Sequence, residues 1–399
     1  MKVAYITVRY GEGVVGGAEQ ACRQLAEHLA GDGVEVSVHT TCALDATTWA
    51  DALPPGRVQE HGVTVLRHRS VSGRDARFDD YSTAVLADPR AQPPAAQEEW
   101  VRRQGPVCPG AVESALSAGA DVVVATPYLY WPTVDVARRA AEHVFVLHPA
   151  AHDEAPVRLP LFADVFGAAT GLAYYTDAER RLVERLFPQL ASRPQAVVGL
   201  GVDLRGDCDP AMFRASSAIG DRPYLLCLGR VDEGKGTTVL ARLFAAYKRR
   251  RPGPLALVFA GPVVHAPPAH PDIITTGALG DAEKWGALAG AVALVNPSVN
   301  ESFSIVALEA WAVGRPVLVN ARCGPTAEHA RRSHGGLAFT GYASFEAAVD
   351  LVVSDAGTAA ALGAAGRSYV ERSFAWPVVT ARYRTWLERL VTARREPVG

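Results

Sequence analysis

Val292-Ala293-Leu294-Val295-Asn296-Pro297-Ser298, followed after Val299 by Asn300-Glu301-Ser302-Phe303-Ser304-Ile305-Val306-Ala307-Leu308-Glu309-Ala310, is the stretch on which the fold turns. Its apolar start reads as a buried strand, its middle as a loop, and its end as a helix leading to a further strand at 316–320. That order puts Glu301 at the carboxyl end of a strand, where open α/β sheets bind their ligands. The N–H groups of Phe303, Ser304 and Ile305 fall in the first helical turn, without intrahelical acceptors. Carboxylates accept hydroxyls and free amides accept phosphate oxygens, so these pieces suit a polyol diphosphate. Glu309 lies about two turns further in, flanked by Leu308 and Trp311, where a carboxylate is costly to bury unless something donates to it. A capping acid followed by an unrelated helix acid would give the same spacing.

Working outward, apolar runs at 224–228, 255–260, 272–275, 292–296, 316–320 and 336–339 alternate with amphipathic stretches, the pattern of a parallel sheet covered by helices. The first half repeats it with strands at 2–8, 34–39, 63–67, 121–125, 143–147, 171–175 and 195–198. After the first strand, Ala18, Cys22, Leu25 and Leu29 form the apolar stripe of a helix that Gly31 and Gly33 terminate. Between the halves, Gly199-Leu200-Gly201-Val202-Asp203 followed by Gly206, Asp207, Asp209 and Pro210 has no periodicity and reads as a linker.

The expectation is therefore an α/β chain of two doubly wound Rossmann-like domains, 1–200 and 201–375, facing a central cleft. A terminal helix over 376–399 carries Val379, Tyr383, Trp386, Leu387 and Leu390 on its apolar side. The segment 70–109, rich in Pro, Asp, Arg and Ala, interrupts the rhythm and reads as a surface excursion, the kind of place where functional loops and lids occur.

Composition narrows the function. A chain of 399 residues exceeds what one core usually holds, and 49% hydrophobic with 21% charged residues is ordinary for a soluble protein. A formal net charge of -2, with no basic run interleaved with aromatics, gives no footprint for nucleic acid. The opening apolar run reaches Arg9 too soon for a signal peptide or an integral membrane span, and the six cysteines are scattered without metal-ligand spacing. A reduced, cytoplasmic protein without a metal site is expected.

Two glycine loops complete the set. Gly11-Glu12-Gly13-Val14-Val15-Gly16-Gly17 follows the first strand and opens a helix, a place where backbone N–H groups meet phosphate. It also satisfies G-x-G-x-x-G, but the acid expected at the end of the second strand is missing before Asp45. A dinucleotide loop and a plain tight turn both remain open. Gly229-Arg230-Val231-Asp232-Glu233-Gly234-Lys235-Gly236 precedes the helix 237–249, so Arg230 and Lys235 can face one diphosphate, although a solvated turn has the same look. Lysine occurs only at Lys2, Lys235, Lys248 and Lys284, which makes one between two glycines conspicuous.

Together these motifs resemble the retaining glycosyltransferases of family four, glycosyl transferases group 1, which have the GT-B fold. The likeness spans nearly the whole chain. It is carried by Gly16-Gly17-Ala18-Glu19, Val146-Leu147-His148, Gly199 to Asp203, Gly229-Arg230 to Lys235-Gly236, and Glu301 with Glu309. It implies a hexosyl transfer from a UDP- or GDP-linked sugar to a small-molecule or glycan acceptor, with no cofactor and no metal. In it Glu301 holds sugar hydroxyls and Glu309 the ribose, while Arg230 and Lys235 clamp the diphosphate. Gly16, Gly17, Phe303, Ser304 and Ile305 assist through their backbone, Thr276-Gly277-Ala278-Leu279 borders the base, and His148 sits beside the sugar. The position of His148 also fits a core histidine; His152 and Asp153 are further candidates on the acceptor side. The resemblance further implies that the terminal helix crosses back to the first domain. The alternatives are an NAD(P)-dependent oxidoreductase using the first glycine loop and a nucleotide-sugar binder without turnover.

Overall fold

Strands in both halves are short apolar runs because each sheet is covered on two faces, so every position along a strand has a side to bury. The computed structural model describes residues 1–14, 16–206 and 208–395. Val15 of the first glycine loop, Asp207 of the linker and residues 396–399 of the terminal segment lie outside the described residues. The chain divides into two units, one of residues 1–201 together with those from Val379 onward, the other of residues 202–378.

Among the described residues the first unit holds eight strands: β1 (Lys2–Ile6), β2 (Glu35–Thr41), β3 (Gly56–Glu60), β4 (Val63–His68), β5 (Val122–Ala125), β6 (Phe145–Leu147), β7 (Gly171–Tyr174) and β8 (Gln195–Val197). Their order is β3-β4-β2-β1-β5-β6-β7-β8, and every pairing is parallel except β3 with β4. The second unit holds β9 (Tyr224–Leu228), β10 (Ala256–Ala260), β11 (Ile273–Gly277), β12 (Ala293–Asn296), β13 (Val317–Asn320) and β14 (Gly336–Phe339), parallel throughout in the order β11-β10-β9-β12-β13-β14. The expected doubly wound α/β sheets are both present. The strand order reverses between β1 and β5 in one sheet and between β9 and β12 in the other, and such switch points open a crevice at the carboxyl ends of the strands.

Three features depart from the sequence reading. Strand β3 was not expected, because an exposed, antiparallel edge strand of mostly polar residues carries no apolar run. The linker contains a helix, Pro210–Ser216, capped by Asp209 and anchored by Phe213 against Tyr224 at 5.5 Å. The segment 70–109, expected as a surface excursion, carries helices that were not expected: it folds into Phe78–Leu86 and Pro94–Gln104, largely exposed, with Phe78, Trp100 and Val101 buried in the core of the first unit. Trp49 ties the segment down by donating its indole N–H to the Gln104 carbonyl at 2.9 Å.

The terminal helix runs from Trp376 to Arg395 and from Val379 onward is part of the first unit. It lies against β7, where Gly171 has no side chain; a Cβ there would come within 2.9 Å of both Leu390 and Trp386. No single helix among the described residues is long and apolar enough to cross a membrane. All six cysteines are free thiols.

Candidate functional site

In the second unit the switch point between β9 and β12 gathers the residues that the sequence singled out. The turn after β9 is shaped by Asp232, whose carboxylate accepts the Lys235 backbone N–H at 2.8 Å and pairs with the Arg230 guanidinium. Burial works to raise the Asp232 carboxyl, but the Lys235 N–H and Arg230 outweigh it and hold the group below the usual carboxylate range. Asp232 thus stays charged, holds the Arg230 guanidinium and fixes the backbone at Lys235. Gly236 ends the turn with φ +75° and opens the helix Thr237–Arg250; a Cβ there would lie 2.8 Å from the Pro297 carbonyl oxygen. Only glycine meets both demands, and through it the turn after β9 touches the loop after β12.

That second loop is braced by amides. Asn296 donates to the Ser304 hydroxyl at 2.8 Å and accepts from the Ser298 N–H at 3.0 Å, while Asn320 donates to the Pro297 carbonyl at 3.0 Å. The result places Glu301 Oε1 2.9 Å from Lys235 Nζ, with side chains 16% and 37% exposed. Both ends of this pair remain reachable from solvent.

The helix begins at Ile305, two positions later than the sequence implies, with Ser304 as its cap at φ +70° and Phe303 before it. Phe303 is buried edge-on against His329 and Phe374, at 5.0 and 5.6 Å between ring centres, so its side chain anchors the loop. Glu309, 6% exposed, receives the Lys284 ammonium at 2.8 Å. Burial raises the Glu309 carboxyl above its usual range and Lys284 works against that rise. Leu279 is half-buried in the loop between β11 and the helix Asp281–Gly290, the helix that carries Lys284.

The first unit holds the remaining candidate residues. Gly16 caps the helix Gly17–Gly31, and a Cβ on it would overlap the Glu19 carboxylate. Glu19 is buried and held by Arg9, at 3.1 Å from Nε and 2.5 Å from Nη2, and Arg9 also donates to the Leu44 carbonyl at 2.8 Å. Gly17 faces open space. After β6, His148 is 1% exposed, with its ring 5.5 Å from that of Tyr175 and its Nε2 2.9 Å from the Tyr383 hydroxyl. Burial pushes its pKa down to about 3, so the ring is neutral at ordinary pH. The loop from His148 to Glu154 turns at Ala150, φ +54°, and is held by Glu179, which accepts the N–H groups of Ala151 at 2.9 Å and Tyr175 at 2.8 Å. His152 is half-buried on this loop; Asp153 pairs with Arg158, and Glu154 accepts the Tyr128 hydroxyl at 2.9 Å.

The structure therefore brings together Arg230, Lys235 and Glu301, and it sets Glu309 beside Lys284. Sequence reasoning missed Lys284, Arg9 and Glu179. For Lys284 the signal was the scarcity of lysine; for Glu179 it was Thr176-Asp177-Ala178-Glu179, a capping box whose threonine accepts the Glu179 N–H at 3.1 Å. Arg9, directly after a buried strand, carried no such mark. Among the described residues no cluster of His, Cys, Asp or Glu has the form of a metal site.

Residues 222–355 match the family model for glycosyl transferases group 1. A D-inositol 3-phosphate glycosyltransferase of Saccharomonospora viridis is 35% identical over 182 residues, 40% of this chain and 41% of that protein. A GDP-mannose-dependent alpha-(1-6)-phosphatidylinositol monomannoside mannosyltransferase of Mycobacterium tuberculosis is 28% identical over 244 residues, 57% of this chain and 58% of that one. The chain spans about half the length of the curated relatives it matches. Among solved structures, sucrose-phosphate synthase of Thermosynechococcus elongatus superposes with a TM-score of 0.72 at 18% identity, covering 98% of this chain and 99% of that one. HepE of Anabaena, solved with UDP and glucose, gives 0.69 at 15% identity, covering 98% and 100%. The chain has the GT-B fold, and its residues 222–355 match the model of glycosyl transferases group 1, the family that the sequence motifs resemble.

Proposed function

We propose that this protein is a cytoplasmic glycosyltransferase that moves a hexosyl group from a nucleoside diphosphate sugar to an acceptor hydroxyl, with retention at the anomeric carbon. The observation that carries the reading is the Lys235–Glu301 pair at 2.9 Å, beside Arg230, at the switch point of the second sheet. Cation and carboxylate at one strand end match the two parts of such a donor, a diphosphate and a sugar. The likeness to a mannosyltransferase and to an inositol-phosphate glycosyltransferase supports it.

In this reading Arg230, Lys235 and the start of the helix Ile305–Ala312 offset the charge that grows on the diphosphate as the bond from the sugar carbon to phosphate oxygen breaks. The acceptor oxygen bonds to the same carbon on the same face, and its proton passes to the departing diphosphate. Glu301 orients the sugar through its hydroxyls, and Glu309 receives the ribose. Because the ring of His148 is buried, contact with a sugar there falls to the loop that His148 opens, including His152.

Titrating the protein with UDP and GDP by calorimetry, then incubating it with UDP- and GDP-hexoses and a panel of acceptors under NMR, tests the proposal. Binding of one nucleoside diphosphate with transfer at retained configuration is expected. Binding without transfer to any acceptor would favour a nucleotide-sugar binder. Failure of every nucleoside diphosphate to bind would remove the reading.

A further inference from the structure

The lysine beside Glu309 has no role in the reading so far. Glu309 sits on a helix whose neighbours supply little charge. β12 and β13 carry no titratable side chain, and the helix Ala356–Ser373 meets it through glycine, with Gly363 over the Gly314 carbonyl and Gly366 over Trp311. The charged groups of that same helix are taken up elsewhere, Arg367 by Glu371 and Arg372 by Ser368. What acts on Glu309 is Lys284 and Asp281 from the helix Asp281–Gly290, and Asp203 from the segment before it. The two aspartates are like charges, so Lys284 is the group that favours an ionised Glu309.

Lys284 is also the better placed to do so steadily. Its ammonium lies 4.9 Å from the centre of the Trp285 ring and 3.9 Å from Asp281, whose other carboxylate oxygen is held by Arg205 at 2.6 Å. Arg205 in turn lies over the same Trp285 ring at 5.2 Å. The lysine is confined by an aromatic face and a tethered acid, and its hydrogen bond to Glu309 fixes the rotamer of that carboxylate.

We propose that Lys284 is a positioning residue for nucleotide recognition: it keeps Glu309 charged and aimed, so that Glu309 can accept the ribose hydroxyls of the donor. The inference rests on the reading of Glu309 given above and adds to it a residue that does not itself touch the nucleotide. An accepting carboxylate is worth more than a protonated one to a diol, because both its oxygens take hydrogen bonds. Without Lys284, burial acts on Glu309 with no cation opposing it, the carboxyl rises further, and the ribose loses a charged, oriented acceptor.

The test is calorimetric titration of the full chain with UDP, GDP and inorganic pyrophosphate from pH 6 to 9, for wild type, Lys284→Met, Lys284→Gln and Lys284→Arg. We expect the nucleoside diphosphate that wild type prefers to bind it with little dependence on pH. Lys284→Met and Lys284→Gln should bind it about tenfold or more weakly near pH 7 and regain affinity as pH rises, while Lys284→Arg stays close to wild type. Pyrophosphate, which has no ribose, should bind all four alike. Equal nucleotide affinity in all variants, or a loss that is the same at every pH and extends to pyrophosphate, would overturn the inference; the second result would mean that the ammonium binds phosphate directly. If wild type binds no nucleoside diphosphate, the proposed function fails and this inference with it. A melting curve of each variant identifies any that does not fold, and either neutral substitution suffices.

Discussion

His148 Nε2 and the Tyr383 hydroxyl share a hydrogen bond of 2.9 Å across 235 residues of sequence, joining the end of β6 to the terminal helix. The ring is neutral and enclosed, with a pKa pushed down to about 3 by burial. An unfolded chain takes up a proton on this histidine below about pH 6.5, whereas the folded chain does not until about pH 3. The stability it contributes is therefore complete above pH 6.5 and lost as pH falls. His148→Gln, which keeps a polar partner for Tyr383 but does not titrate, should show a smaller drop in melting temperature between pH 7 and pH 4.5 than wild type. His39 and His329, with pKa values pushed down to about 4 and 3, keep part of the acid sensitivity in place. An unchanged pH profile would show that His148 takes up its proton over the same range of pH in the folded and unfolded chain.

Glu179 has the opposite sign. Burial pushes its pKa up to about 8 although the Tyr175, Ala151 and Thr176 N–H groups pull it down. Between the ordinary value of 4.5 and about 8 the folded chain keeps a proton that the unfolded chain releases, so this contribution is present below 4.5 and lost as pH rises to 8. Glu179→Gln should remove that slope. It should also cost about 1–3 kcal/mol, because an amide nitrogen cannot accept one of the two backbone N–H groups. Melting curves at pH 5 and pH 8 check both points; parallel slopes in variant and wild type would contradict the assignment.

Gly366→Ala is expected to destabilise the second unit by about 1–3 kcal/mol, since the new Cβ would overlap the Trp311 ring where two helices meet. Gly357→Ala, on the same helix but 3.3 Å from only the exposed Asp355 carboxylate, should change little. Denaturant midpoints for the two variants, followed by tryptophan fluorescence, make the comparison. Equal midpoints would mean that the helices separate at little cost.

Lys235→Ala and Arg230→Ala should each lower kcat more than they raise KM, because the charge they offset is greatest when the sugar–phosphate bond breaks. Raised KM with unaltered kcat would reduce both residues to donor docking. Glu309→Ala should weaken nucleoside diphosphate binding by about 1.5–3 kcal/mol, the worth of a charged hydrogen-bond acceptor.

Transfer should persist in excess EDTA, because two cations and a helix start supply the positive field that a divalent ion gives elsewhere. Activity abolished by chelation and restored by magnesium would refute this.

Much of the fold was legible because the parallel strands are buried on both faces and announce themselves as apolar runs; every strand from β9 to β14 lies where its run does. β3 was not, since Gly56-Arg57-Val58-Gln59-Glu60 is exposed and owes its conformation to β4. The helices within 70–109 were not legible because their anchors, Trp49 and Phe162, come from distant parts of the chain, and a composition rich in Pro and Arg hides the few buried aromatics among them. At the candidate site, Lys235 and Glu301 were visible from the motifs that carry them. The partners of the other charged groups were not: Lys284 meets Glu309 from 25 positions away on another helix, and no local pattern encodes a pairing between two elements.

The first unit is discontinuous in sequence, and that has a consequence for biosynthesis. Its sheet is complete by Val197, yet the face of β7 at Gly171 packs against Trp386 and Leu390, and the hydrogen bond of the His148 ring is shared with Tyr383. A ribosome must therefore make all of residues 202–378 before the earlier unit can close over its own core, so the part translated first is the part finished last. A nascent chain halted anywhere in that interval presents an uncapped apolar seat, the kind of surface that chaperones hold and proteases find.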